Sequence, residues 1–349
     1  MRLLSIAHTP TATWQTQPSS QDAVLDLARE PIASLQTLLH KTCRALRFGA
    51  DLVVVPPTPK WASSRDGRAW LAQLVRQAKA RGYTQHTWGE QGAALDKWRQ
   101  ARLDHGWTRT TLDTWKRVLF LGDVHGRLDE ARALVEPFVN DRHTFLVFLG
   151  DMPSKGPQAA ETVRWIGRTF QGPDRGLTLR GNHDLHLEDW AMGIEVLKKD
   201  FVEHWPGEGT PLSAQAAKSM LDTMVDAAVL TWKGWTIHAT HGGLAQPPQT
   251  GRAWAAADAI FGTGEPTLDI DAVWDTHTID AAHMIQVHGH RNAHLHPIRA
   301  AQRSWNVEGV ESFGEVRALV LEHDGRTTTA AAGRCPFQGA PTWTTHRLG

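Results

Sequence analysis

The chain has 349 residues, 41% of them hydrophobic, with 37 basic and 37 acidic side chains and 19 histidines. That length buries a substantial core, most simply one large domain beside a smaller one, and the ordinary apolar content excludes disorder as the governing state. No apolar run approaches the roughly 20 residues that a membrane-spanning helix needs, so no membrane partner is expected.

The N-terminal stretch MRLLSIAHTP is too short an apolar run for a secretory signal and has no cleavage-site pattern. Cys43 and Cys335 lie far apart and form no metal-binding pair, which points to a reducing cytoplasm.

Residues 1–60 read as a strand (Leu3 to Ala7), a polar loop, a helix from Ile32 to Arg47, and a strand ADLVVVPP closed by its prolines. Residues 66–104 give two helical stretches, and the threonines of GWTRTTLDTWKR are placed to cap a last short helix. Six of the 16 tryptophans fall between Trp61 and Trp115, at helical spacing that reads as core. From Lys60 to Arg117 there are 12 basic and 5 acidic residues, whereas 118–349 carry 20 and 28. This asymmetry makes nucleic acid a candidate partner for segment 60–117; the alternative is two solvated faces of opposite sign. The order of elements resembles the front half of flap-endonuclease or PIN-type nucleases. The acidic ligands such nucleases carry are replaced here by Ala7 and His8, and by Pro56 and Pro57, so that resemblance implies binding without catalysis.

From Val118 the pattern changes. RVLFLGD, TFLVFLGD and GLTLRGN are apolar runs, each followed by a helical stretch, as in a buried sheet covered by helices. Helices around Leu185–Val202 and Leu212–Asp226 follow, then strands AVLTWKG, WTIHATHGG, HMIQVHGH and EVRALVLEHDG. Residues 326–349, which lack acids, read as a loose tail. The expected domains are therefore 1–117, 118–325 and that tail.

In the loop GDVHG, Asp123 and His125 alone fit a turn as well as a metal site. A parallel sheet, however, gathers its loops at the carboxyl ends of its strands. Asp123 and His125, Asp151, and Asn182 with His183 would then meet along one edge, and the loops of His241 and His290 would close it. Carboxylate, amide and imidazole around a shared aspartate suit a pair of divalent metals. Glycine beside each ligand lets backbone approach the cluster.

GDVHG, GDMPSKGP, LRGNHD, HGG and VHGH together resemble the motif series of the calcineurin-like metallophosphoesterases, nearest the phosphoprotein-phosphatase branch with its bacterial and phage members. The likeness covers 118 to about 325, and GNHDLHL is also similar to the diadenosine tetraphosphate hydrolases. The resemblance implies an α/β fold: a βαββαβ-type sandwich of two mixed sheets flanked by helices, beside a smaller N-terminal α/β domain. It implies Asp123, His125 and Asp151 at a first metal, with Asp151, Asn182, His241 and His290 at a second. The metals would be manganese first, with iron, zinc or nickel as alternatives, roughly 3.5–4 Å apart and activating a hydroxide. His183 would be the general acid. Lys155, Arg180 and Asn182 would hold the substrate phosphate.

Two departures accompany the likeness. Ser154 stands where an aspartate usually orients the acid histidine, and Lys155 where an arginine usually grips phosphate, which keeps the charge but loses the bidentate fork. Asn292 stands where diesterase relatives have a second histidine. The expected function is hydrolysis of phosphate monoesters on a phosphoprotein or small molecule. Diadenosine polyphosphate cleavage is the close alternative, a nucleic-acid phosphodiesterase the next. A nucleic-acid-binding protein with a vestigial phosphatase-like domain is the non-enzymatic alternative. His288, His294 and His296 read as second-rank or surface groups with His288 the spare ligand, and Asp184 and His186 as helix-start residues.

Overall fold

In a computed structural model, the described residues are 22–26, 51–55 and 107–348, apart from 171–174, 192–195, 197–198, 204, 206–211 and 248–255. The chain divides into two compact units, Met1–His105 and Gly106–Gly349. In the first, strand β1 (Asp22–Asp26) pairs in parallel with β2 (Asp51–Val55), the apolar strand foreseen before the prolines. The strand expected at Leu3–Ala7, the helix at Ile32–Arg47 and the helices of 66–104 lie outside the described residues.

The second unit begins before β3 (Trp107–Thr111), ahead of the boundary expected at Val118. Its threonine-rich sequence is a strand and not a capped helix: β3 pairs in parallel with β7 (Ala227–Trp232), where β-branched side chains fit a pleated surface. Lys116 and Arg117, counted in the basic segment, are held by acids of this unit: Lys116 and Arg117 both bind Glu322, and Arg117 also binds Asp141 at 2.9 Å.

Strands β4 (Arg117–Leu121), β5 (Thr144–Phe148) and β6 (Gly176–Thr178) run parallel, joined by helices α1 (Leu128–Val139) and α2 (Ala159–Thr169). The runs are apolar on both faces because both faces are covered. Leu119, Leu121, Leu146 and Phe148 pack with Leu134, Val135 and Ile166 of the helices. The alternate residues Val118, Phe120, Phe145 and Val147 pack with Leu230, Ile237 and Val287 of a second sheet. That sheet has the order β10-β9-β8-β7-β3, with β8 (Trp235–Thr240), β9 (Met284–His288) and β10 (Ser304–Asn306). The remaining helices are α3 (Asp184–Ala191), α4 (Lys199–Val202), α5 (Ala214–Leu221), α6 (Ala256–Phe261), α7 (Ile270–His277) and α8 (Val310–Phe313). The architecture is the expected sandwich of two mixed sheets with flanking helices.

The first sheet continues through β11 (Glu315–His323), β12 (Thr328–Pro336) and β13 (Thr342–Leu348), in the order β13-β12-β11-β4-β5-β6. The expectation of a loose tail over 326–349 is thus corrected. TTAAAGRCP lacks bulk, yet Ala330, Ala332 and Cys335 are buried, and nine residue pairs run from Glu315↔Pro336 to His323↔Thr328. Ending the chain at residue 325 is expected to lower the thermal midpoint by at least about 10 °C, since it uncovers one edge of the sheet and several buried side chains. A melting curve equal to that of the full chain would contradict this.

Candidate metal centre

Five loops at strand ends build the site. Asp123 and His125 follow β4, Asp151 follows β5, Asn182 and His183 follow β6, His241 follows β8 and His290 follows β9. All are buried or nearly so, and the structure brings these seven residues together as expected.

Asp151 is the centre of the cluster. Its Oδ2 lies 3.5 Å from His125 Nε2 and 3.4 Å from His241 Nε2. Asn182 Oδ1 is 3.1 Å from the same His241 nitrogen. Two groups of ligand atoms share Asp151: His125, Asp151 and His183, and Asp151, His241 and His290, each within 4.8 Å of one another. Asp123 sits on the far side, its Oδ2 3.9 Å from His125 Nε2 and its Oδ1 4.0 Å from His241 Nδ1.

Ring orientation is set from behind. His125 Nδ1 faces the Pro153 carbonyl at 3.2 Å and His241 Nδ1 faces the Leu149 carbonyl at 2.8 Å. A carbonyl accepts only from an N–H, so each Nδ1 faces outward as the donor and each Nε2 faces the cluster, the arrangement that a metal-binding histidine uses. Asp151, Asn182, His125 and His241 thus gather potential ligand atoms at one point, and His241 joins that set once its Nε2 gives up its proton.

Burial pushes the ring of His125 down to about 4 and, with His241 beside it, that of His290 to about 3, so both are neutral donors. His241 goes the other way: although burial opposes it, Asp151 and Asp123 hold its proton up to about 9. Burial raises the Asp123 carboxyl to about 7, whereas for Asp151 burial is outweighed by His241, His183 and His125, which keep it well below the usual range. The donor set, mixed oxygen and nitrogen around one shared carboxylate, fits divalent metal ions.

The backbone is bent to make this possible. His125, Asp151, Ser154, Lys155 and His290 all have positive φ, a cost of order 1–3 kcal/mol each that non-glycine residues carry mainly at functional sites. Gly181 of LRGNHD and Gly289 of VHGH show why glycine stands beside the ligands. A Cβ on Gly289 would stand 2.2 Å from Asp123 Oδ1, and one on Gly181 the same distance from Asp151 Oδ1. Only a bare Cα lets those loops close onto the carboxylates.

The phosphate-binding expectations divide. Lys155 reaches the cluster, its Nζ 3.4 Å from His125 Nε2. Arg180 is engaged away from the cluster: its Nη1 bonds Asp226 at 2.7 Å and its Nη2 bonds the Leu221 carbonyl at 3.3 Å, which ties the loop after β6 to the end of α5 and the segment that follows it. Ser154 keeps contact with the acid histidine, its Oγ 3.0 Å from His183 Nδ1. His288, the spare ligand, faces Asp271 at 2.9 Å, and His296 faces Asp269 at 3.1 Å. Asp269, Asp271 and His296 form a third group of close ligand atoms, but these acids are spent on the histidines and on Ser304 and Ala272.

Asp184 was read only as a helix-start residue. It is fully buried, and its carboxylate accepts the backbone N–H of Gly181 (2.8 Å), Asp151 (2.8 Å) and Met152 (3.0 Å). The bond to Gly181, three residues back, is local, but Asp184 itself opens α3 and stands at no capping-box position, so it gives no signal. The bonds to Asp151 and Met152 span over thirty residues and left none.

The family model of the calcineurin-like phosphoesterases matches residues 116–321. The chain belongs to that family. Among curated proteins, the symmetrical bis(5'-nucleosyl)-tetraphosphatase of Methylococcus capsulatus is 34% identical over 152 residues, 42% of this chain and 48% of the relative. The enzyme of the same name from Aeromonas salmonicida is 37% identical over 81 residues, 23% of this chain and 29% of the relative. The chain thus spans less than half the length of these relatives. Among solved structures, a cold-active protein tyrosine phosphatase is 15% identical and covers 71% of this chain and 82% of its own, with a TM-score of 0.43. No helix among the described residues is long and apolar enough to cross a membrane.

Proposed function

We propose that the protein is a metal-dependent hydrolase of phosphate esters, working in a reducing cytoplasm with two divalent ions, manganese first. The observation that carries this reading is the convergence of ligand atoms on the buried Asp151, with His125 Nε2 and His241 Nε2 at 3.5 and 3.4 Å from its Oδ2. Asp123, His125 and Asp151 would hold one ion, and Asp151, Asn182, His241 and His290 the other. When bound, such a pair supplies a nucleophilic hydroxide at neutral pH and charge neutralisation at phosphorus.

The chain's own residues do the rest. Lys155 binds a phosphoryl oxygen as a point charge. His183 presents one ring nitrogen to the substrate while Ser154 holds the other, and it gives its proton to the leaving oxygen. Burial pushes that ring down to about 2, so its protonation depends on the negative charge of a phosphate beside it. Ser154 orients the ring with a neutral hydroxyl, without the charge by which a carboxylate would favour the imidazolium.

The motif series favours a phosphate monoester as substrate. A dinucleoside polyphosphate is the second reading, favoured by the names of the relatives. The basic segment, outside the described residues from Lys60 to Gly106, supports nucleic-acid binding by its charge alone. The test is steady-state hydrolysis of p-nitrophenyl phosphate, bis(p-nitrophenyl) phosphate and diadenosine tetraphosphate by stripped protein reloaded with manganese. Turnover of at least one is expected with metal, falling at least about a hundred-fold on chelation. Turnover that survives chelation, or none of the three with metal bound, would contradict the proposal.

A further inference from the structure

Lys155 is not the only charge at the mouth of the cluster. Glu311, in α8, forms an ion pair with the Lys155 ammonium, and its Oε1 lies 3.9 Å from His125 Nε2. The site's cation therefore already has an anionic partner. That partner lies in the segment NVEGVESFG and stands opposite the second motif, GDMPSKG.

Glu311 is held there by deliberate local structure. The short helix follows Gly309, and its first turn is anchored by the fully buried Glu308, which accepts the Glu311 backbone N–H at 2.7 Å and the Ser312 hydroxyl. The Arg317 guanidinium lies 3.9 Å over the Phe313 ring at the other end. The backbone is thus fixed while the side chain reaches outward. Glu311 is 52% exposed and Lys155 26%, so the pair sits at the rim, where substrate enters and where partners exchange readily.

We propose that Glu311 is a charge filter that selects among phosphoryl groups by their ionisation, an inference that rests on the phosphoesterase reading above. A phosphoryl oxygen that takes Lys155 must displace Glu311 and remain beside its carboxylate. A terminal phosphate monoester brings two negative charges on one phosphorus, and a diester or an internal phosphate of a polyphosphate brings one. Repulsion scales with the product of the charges, so the filter acts against the dianion more than against the monoanion. Discrimination by a repulsive group needs no added contact to the favoured substrate. Glu311 thus sets the ratio of monoester cleavage to diester or anhydride cleavage, tempering the preference for doubly charged phosphorus that the motif series favours.

The experiment compares Glu311→Gln with the parent, both loaded with manganese, on p-nitrophenyl phosphate and its bis-ester. The expected result is a rise of about five-fold in the monoester-to-diester ratio of kcat/KM, carried by KM for the monoester and shrinking as salt is added. An equal change for both esters, or none, would overturn the inference, because a purely structural glutamate would move both together. If the parent turns over neither ester, the phosphoesterase reading is decided separately, on diadenosine tetraphosphate. The filter is then decided by calorimetric titration of the manganese-loaded proteins with inorganic phosphate. Binding about five-fold tighter in Glu311→Gln upholds it, and equal binding overturns it.

Discussion

Asp151→Asn is expected to lower turnover of any phosphate ester by about a thousand-fold, the scale seen when a principal electrostatic group of an active site is removed. The geometry says why an isosteric change is so costly. Asp151 Oδ1 accepts the His183 backbone N–H at 2.7 Å, so the amide of the variant must keep its oxygen there. Its NH2 then points between His125 and His241, where the native Oδ2 stands 3.5 and 3.4 Å from their Nε2 atoms. A bridging lone pair is exchanged for two N–H donors, and the shared negative charge is lost. The fold should persist, because the residue's backbone bonds and volume are retained. Activity within ten-fold of the parent at saturating manganese would show that Asp151 does not bridge the centre.

The second large effect is expected at Asp184, which touches no proposed ligand atom. Its carboxylate is the acceptor for Gly181, Asp151 and Met152, three N–H groups that belong to two different ligand loops. Asp151 itself has φ 62, a conformation that its surroundings must impose. In Asp184→Asn an amide N–H would face at least one of those donors, leaving a buried donor unpaired and placing two hydrogens in opposition. The cost is about 3 kcal/mol, a fall of about 10 °C in thermal midpoint for a unit of this size. Affinity for manganese should fall about ten- to hundred-fold, as it does when groups that orient metal ligands are changed. A variant that melts and binds metal like the parent would show that the Asp151 loop holds its shape without this carboxylate.

What the sequence made legible follows from the range of each interaction. The strands ending in GD, GD and GN were readable because apolar runs, glycines and ligands are local, and parallel topology alone brings Asp123, Asp151 and Asn182 to one edge. Gly181 of GN and Gly289 of VHGH have their reason in Asp151 Oδ1 and Asp123 Oδ1, each 2.2 Å from where a Cβ would stand, whereas Gly122 and Gly150 of the GD motifs make room for the backbone of Val307 and Gly181. The misreadings are also local in origin. Thr328 to Pro336 looked like a tail for want of large apolar side chains. As an interior strand between β11 and β13 it needs little bulk, because small residues suffice where Trp343 packs directly over Gly333. Trp107 to Thr111 looked like a capped helix because threonine serves both roles, and only its partner β7 decides.

Other features belong to tertiary contact and leave no trace in a single sequence. Arg180 stands directly beside the ligand loop, yet its charge is taken by Asp226, 46 residues on. Glu311 meets Lys155 although 156 residues separate them in the chain. Asp184 reads as a helix start, and its grip on the Asp151 loop appears only once β5 and β6 lie side by side.

The central claim is a pair of metal ions bridged by Asp151, and the most direct measurement is anomalous diffraction from crystals of manganese-loaded protein, collected above and below the manganese edge. Two anomalous peaks are expected, one against Asp123 and His125 and the other against Asn182, His241 and His290, with Asp151 between them. A single peak, or peaks remote from Asp151, would contradict the bridged pair.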